Sequence, residues 1–184
     1  MSGSQNFAFG TVMDAWLWYG FYPHTWASLV TVLGAGLAFN VAHAYVPAQQ
    51  ADGSFKAENG GVVGFFSLEM SSEQLATRIL AEQTSIASSM IRRGGISEAD
   101  FEKIRDYSIE LQSLPLYVDE TGGLSISQLT ARARRLKRQK GLDLIVIDYI
   151  QLLQGSGRKS DNRVQEVTEI TTNLKALAKE LNVP

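Results

Sequence analysis

The run Leu144-Ile145-Val146-Ile147-Asp148-Tyr149-Ile150-Gln151-Leu152-Leu153 places four consecutive aliphatic residues in front of a single acid. A run of that kind, with no polar alternation, predicts a strand covered on both faces, as in a parallel sheet. An aspartate where such a strand stops stands at the carboxyl edge of the sheet, where α/β proteins bind ligands. The segment therefore predicts the fold class, α/β, and puts Asp148 first among the candidate functional residues.

The flanking sequence repeats the pattern. Residues 62–67, VVGFFS, read as a second buried strand, and 115–120, PLYVDE, as a short third one. Between them lie helical stretches with local start signals. Ser71 with Gln74 three residues on forms a capping box, Ser97-Glu98-Ala99-Asp100 opens a second helix, and Ser125 or Ser127 opens a third. That third helix is expected to run to Lys140 and to stop at Gly141. A last helix is predicted from about Arg163 to Leu181, and residues 52–61, rich in Asp, Asn and Gly, as a polar loop. Strands separated by helices give a parallel sheet in an α/β domain.

The 184 residues suffice for one domain with a real core. The net charge of −2 is uninformative in itself, but its distribution is not: all 17 Lys and Arg residues follow position 50. Residues 1–50 hold one acid, Asp14, and all three tryptophans, Trp16, Trp18 and Trp26. The absence of cysteine excludes disulfides and thiolate metal sites and is compatible with a reducing cytoplasm. His24 and His43 lie apart in a region without carboxylates, so no metal site is expected there. No basic n-region marks a signal peptide.

Residues 27–46, ASLVTVLGAGLAFNVAHAYV, carry no charged side chain and approach the length of about 20 residues that spans a bilayer. Asn40, His43, Gly34 and Gly36 dilute the apolar character, and no Lys or Arg flanks the run closely. A helix buried in the α/β domain and a membrane anchor are the two readings, the first being preferred.

Glu69 follows VVGFFSL as Asp148 follows LIVI, so both acids fall at the carboxyl edge. Such a pair suits nucleotide hydrolysis, one carboxylate holding the Mg²⁺ shell and the other orienting a water. The plainer alternative is that Glu69 caps a helix and Asp148 merely ends a strand. The helix 131–141, ARARRLKRQKG, turns Leu129, Ala133 and Leu136 inward and leaves its cations for a solvated or phosphate-contacting face. The loop 155–162, GSGRKSDN, carries Arg158 and Lys159, followed by Arg163, and could meet a nucleic-acid backbone or be a plain surface loop.

Four long blocks then become specific. FFSLEMSSEQLATRILAEQT (65–84), IRRGGISEADFEKI (91–104), residues 114–153 and NRVQEVTEITTNLKALAKELNVP (162–184) together resemble the RecA-like motor domain of bacterial replicative DNA helicases, the DnaB family. The resemblance runs from about Thr31 to Pro184 and leaves 1–30 as an unmatched, aromatic-rich segment. It implies a RecA-like P-loop NTPase core, ATP and Mg²⁺ as cofactors, single-stranded DNA as partner and a homohexameric ring. By that resemblance Glu69 is the catalytic glutamate and Asp148 the Walker B aspartate. The loop with Arg158, Lys159 and Arg163 then belongs to the DNA-facing surface.

One part of the pattern is missing. No Gly-x-x-x-x-Gly-Lys-[Ser/Thr] occurs anywhere in the chain. Counting back from LAFNVAHAY (37–45) sets Thr31 at the family's Ser/Thr position, with Val30 where the lysine belongs and no glycine in the preceding seven residues. The aromatic N-terminal segment suggests an out-of-frame or rearranged coding stretch. The family's later core strand, sensor and arginine finger are also not found after NVP. The expectation is therefore a truncated RecA-like fragment deficient in ATP hydrolysis, with open sheet edges that favour association. The rivals are a small membrane-associated protein anchored by 27–46, and a module that joins the full-length helicase ring.

Overall fold

The computed structural model describes residues 23–50, 55–155 and 163–184. The chain divides into two units, Met1–Leu33 and Gly34–Pro184. In chain order the elements are α1 (Pro23–His43), β1 (Val46–Gln49), β2 (Phe55–Asn59), β3 (Val63–Ser67), α2 (Ser72–Thr84) and α3 (Ser88–Arg93). There follow α4 (Glu98–Ser113), β4 (Leu116–Asp119), α5 (Ile126–Lys140), β5 (Leu144–Asp148), a 3-10 turn (Ile150–Leu152) and α6 (Arg163–Leu181).

The larger unit is built on a three-stranded sheet of order β4-β3-β5, parallel throughout. Val63 pairs with Leu116 on one side and Leu144 on the other, and Ser67 pairs with Asp148. Every residue of β3 is buried, because it has a ladder on each side and helices on each face. Its alternating side chains feed two cores, as strand geometry requires. Val63 and Phe65 pack with Ala35, Ala38, Phe39 and Ala42 of α1 and with Leu75 and Ile79 of α2. Phe66 joins Leu129 and Ala133 of α5 and Ile170 and Leu177 of α6 on the opposite face. Each large apolar side chain so buried contributes about 1.5–3 kcal/mol relative to exposure. The result is a sheet between two helical layers, the predicted α/β architecture.

The strand Leu144–Asp148 differs from expectation in burial. Residues 144–147 are half-buried, although Leu144 and Val146 face the α1 core and Ile145 and Ile147 face the α6 core. The cause is its edge position among the described strands. On the side away from β3, Ile145 N–H donates to the Pro184 carbonyl at 3.2 Å.

Helix α1 shows why 27–46 has so little charge. The part from Gly34 onward presents small residues to the sheet, and a Cβ added at Gly34 would sit 3.7 Å from Val146 Cγ1. Ala35, Ala38 and Ala42 are fully buried there. No helix among the described residues is long and apolar enough to cross a membrane. The preferred buried-helix reading thus holds for this part of the run.

Local chemistry sets the helix ends. Ser71 and Ser125 each form a complete capping box, with Gln74 and Gln128, and Ser97 accepts from Asp100 N–H. Gly141 ends α5, its N–H returning to the Lys137 carbonyl. The predicted polar loop 52–61 contains a strand instead, since β2 pairs antiparallel with β1. Both strands are largely exposed, so no hydrophobic alternation marks them. Gly60 then carries the chain from β2 toward β3 at φ +61, where an added Cβ would lie 2.4 Å from the Val41 carbonyl oxygen.

Candidate functional site

The parallel register brings the two acids singled out in the sequence to one edge. Because Ser67 faces Asp148 across the ladder, Glu69 begins two residues beyond the same level. Leu68 N–H donates to the Asp148 carbonyl at 2.8 Å and prolongs the pairing past the end of β3. The buried Ser67 hydroxyl donates to the Met70 carbonyl at 2.7 Å, which tightens the turn into α2. That turn leaves Glu69 exposed between buried Leu68 and Met70. The N-cap of α2 is Ser71, so Glu69 does not cap the helix.

Glu69 lines a cavity of about 550 Å³ together with Glu73, Gln74, Thr77, Arg78 and Arg92. Asp148 is the contrasting case. It is only 5% exposed, and its Oδ2 has no hydrogen-bond partner among the described residues. A buried, unpartnered polar atom costs about 1–3 kcal/mol, and more when charged. An oxygen left in that state fits a hydrated divalent cation, which would satisfy it through the metal or a bound water.

A third carboxylate at this edge escaped the sequence reading. Glu120, just past β4, accepts from Ser72 N–H at the start of α2, and that bond holds its carboxyl below the usual range. The only local signal was an acid directly after a strand, and its partner lies 48 residues away.

The phosphate-binding half does not match this cation site. Thr31 lies within α1, which runs as helix from Pro23 to His43. A phosphate cradle needs several consecutive N–H groups turned to one point. Inside an α-helix each N–H is instead spent on the carbonyl four residues back. The backbone around Thr31 therefore does not fit nucleotide phosphates.

Arg158 and Lys159 lie outside the described residues. Arg163, at the start of α6, donates from one terminal nitrogen to Glu166 and from the other to the Gln151 carbonyl. Glu166 also accepts from Gly155 N–H at 3.0 Å. The Gly155 bond and the Arg163 bond together hold the Glu166 carboxyl below the usual range.

Three cations of α5 are tied to neighbouring elements. Arg132 bonds both oxygens of Asp119, at 2.7 and 2.6 Å, and also Thr121. Arg134 makes a two-pronged pair with Glu180 on α6, both bonds at 2.7 Å. Lys137 donates to the Leu142 carbonyl. Fork-like pairs of this kind fix geometry as well as charge. Arg132, Arg134 and Lys137 thus serve the packing of α5 on β4, α6 and the following loop.

Comparison with known proteins agrees with this arrangement. The model of the DnaB-like helicase C terminal domain matches residues 31–184. The replicative DNA helicase DnaB of Rickettsia bellii (strain RML369-C) is 52% identical over 122 residues, which is 66% of this chain and 24% of the relative. That of Synechocystis sp. is 43% identical over 156 residues, 84% of this chain and 16% of the relative. The chain spans about a quarter or less of the length of these curated relatives. A solved DnaB-like replicative helicase, described with its interactions with primase, superposes with a TM-score of 0.64 at 25% identity. It covers 81% of this chain, which in turn covers 34% of that one. The three-layer parallel fold is thus RecA-like, and the chain belongs to the DnaB-like helicase C-terminal domain family.

Proposed function

We propose that the chain is a fragment of an ATP-dependent replicative helicase motor that keeps the metal-side and DNA-side residues but has lost its hold on nucleotide. In this reading Asp148 anchors Mg²⁺ and Glu69 is the water-orienting base. The helicase segment is 31–184, and 1–30 is foreign to it. The observation that carries the proposal is the helix through Thr31, which leaves no set of free N–H groups where phosphates would bind. Losing such donors and the lysine removes several charge-assisted bonds at once. ATP turnover, translocation and unwinding are therefore absent in the isolated chain.

What remains is weak, sequence-independent contact with single-stranded DNA through Arg158, Lys159 and the Arg163 region. The cytoplasm is its proper compartment, and the full-length helicase ring is a partner it could join. Isothermal calorimetry with Mg²⁺ and ATP tests the central point. No heat of binding is expected at micromolar protein and sub-millimolar ATP. Stoichiometric Mg²⁺-dependent binding that disappears in Asp148→Ala would overturn the proposal.

A further inference from the structure

Arg163 stands where a DNA-contacting cation was expected, yet its guanidinium is already engaged. One terminal nitrogen donates to Glu166 and the other to the Gln151 carbonyl just after the 3-10 turn starts. The same Glu166 carboxylate receives the Gly155 N–H. One Arg–Glu pair therefore joins the residues that precede segment 156–162 to the helix that follows it. Gly155 has no side chain because none fits: an added Cβ would lie 3.1 Å from Glu166 Cγ and 3.3 Å from a Glu169 carboxylate oxygen. Glycine at this point lets the carboxylate close onto the backbone.

Charge bookkeeping points the same way. Arg163 and Glu166 sum to zero, so the pair adds little net attraction for a phosphate backbone. A guanidinium fork held by a carbonyl and a carboxylate is a positioning device, and lysine could not reproduce both bonds. We propose that Arg163 and Glu166 form a clasp that fixes the two ends of the DNA-facing loop, so that Arg163 acts as a positioning residue and not as a phosphate contact. The inference rests on the reading that this loop meets single-stranded DNA. Its structural half, the closure at Gly155, is independent of that reading.

The test compares the full chain with Arg163→Ala, Arg163→Lys, Glu166→Gln and the Arg163→Ala/Glu166→Gln pair. Fluorescence anisotropy with labelled oligothymidylate is read across a salt series, beside hydrogen exchange of the peptide containing Gly155 in the DNA-free protein. A clasp predicts that each single variant weakens binding by about threefold to tenfold through lost pre-organisation. It also predicts that the pair is no worse than either single change and that Arg163→Lys behaves like Arg163→Ala. The slope of log K against log salt stays unchanged, and exchange at Gly155 speeds up in every variant.

A direct phosphate contact predicts different signs. Removing the competing carboxylate in Glu166→Gln would tighten binding, and Arg163→Ala would reduce the slope by about 0.7. Either result overturns the proposal, as does unchanged exchange at Gly155. If the wild-type chain binds no DNA, the DNA reading itself fails and the loop's role with it. Faster Gly155 exchange in the variants would then still establish the clasp.

Discussion

Ser67 and Asp148 stand opposite one another at the carboxyl ends of two parallel strands, one hydroxyl fully satisfied and one carboxylate oxygen with no partner among the described residues. Equal depth makes the contrast informative, since both residues are buried. The serine spends its hydrogen on the Met70 carbonyl and so shapes the turn that exposes Glu69. The aspartate keeps a lone oxygen at a place where folding alone would favour an apolar or neutral group.

That orphaned oxygen predicts a gain in stability on its removal. Asp148→Asn eliminates the buried charge with little change in volume and is expected to stabilise the metal-free chain by about 1 kcal/mol. Millimolar Mg²⁺ should raise the melting temperature of the wild type and leave Asp148→Asn unmoved, since only a folded-state ligand shifts the transition. Melts with and without Mg²⁺ decide this. A variant less stable than the wild type in metal-free buffer would show that Oδ2 has a folding role.

The α5–α6 layer should depend on Leu129. It is fully buried and packs in the cluster with Phe66, Leu124 and Ile170. Leu129→Ala removes the transfer energy of its lost atoms and leaves a cavity, so about 2–5 kcal/mol of stability should vanish. Urea denaturation reads the change directly. A loss under 1 kcal/mol would mean that this face collapses around the gap and is loosely packed.

Acid should weaken the ties that hold α5. Burial works to raise the Asp119 pKa, but the bonds from Arg132 and Thr121 outweigh it and leave it lowered. Glu180 is lowered by its bond to Arg134. A depressed folded-state pKa gives stability that is fully present above the unfolded value, about 4 for a carboxyl, and fades as pH falls through the lower folded value. Stability is therefore expected to be flat from pH 7 to about 5 in these contributions and to drop below about 4. Partly exposed pairs are screened, so Asp119→Asn should change stability at pH 7 by no more than about 1 kcal/mol. It should also flatten the acid limb of a denaturation series. An acid limb identical to wild type would remove Asp119 from the account.

What could be read in advance follows from where the signal lies. LIVID and VVGFFS announced themselves because a parallel sheet leaves no room for polar alternation. The capping boxes at Ser71 and Ser125 were legible because both partners lie within four residues. The hairpin of β1 and β2 was not, since exposed strands carry no apolar pattern and their pairing is a long-range choice. The sequence also placed Glu69 and Asp148 at one edge correctly, but could not tell that one is exposed and the other buried. Arg163 was recognisable as a cation beside a loop. Its engagement by the Gln151 carbonyl depends on the path of the 3-10 turn, which no local motif specifies.

The uncharged run 27–46 supplies the last prediction, because its two readings demand opposite behaviour from neighbouring residues. In the structure Ala38 is fully buried against the sheet, whereas Leu37 is 56% exposed. A core helix has no space at the first and little at stake at the second. Ala38→Leu should overpack the layer between α1 and β3 and destabilise by about 1–3 kcal/mol. Leu37→Ser should stay within about 0.5 kcal/mol, as ordinary surface changes do. A lipid-anchored helix would invert the order, since Ala38→Leu would make the run more apolar and Leu37→Ser less so. Thermal melts of the two variants, together with their partition between buffer and lipid vesicles, separate the readings. Vesicle binding that Ala38→Leu strengthens and Leu37→Ser weakens would move α1 out of the core and onto a membrane.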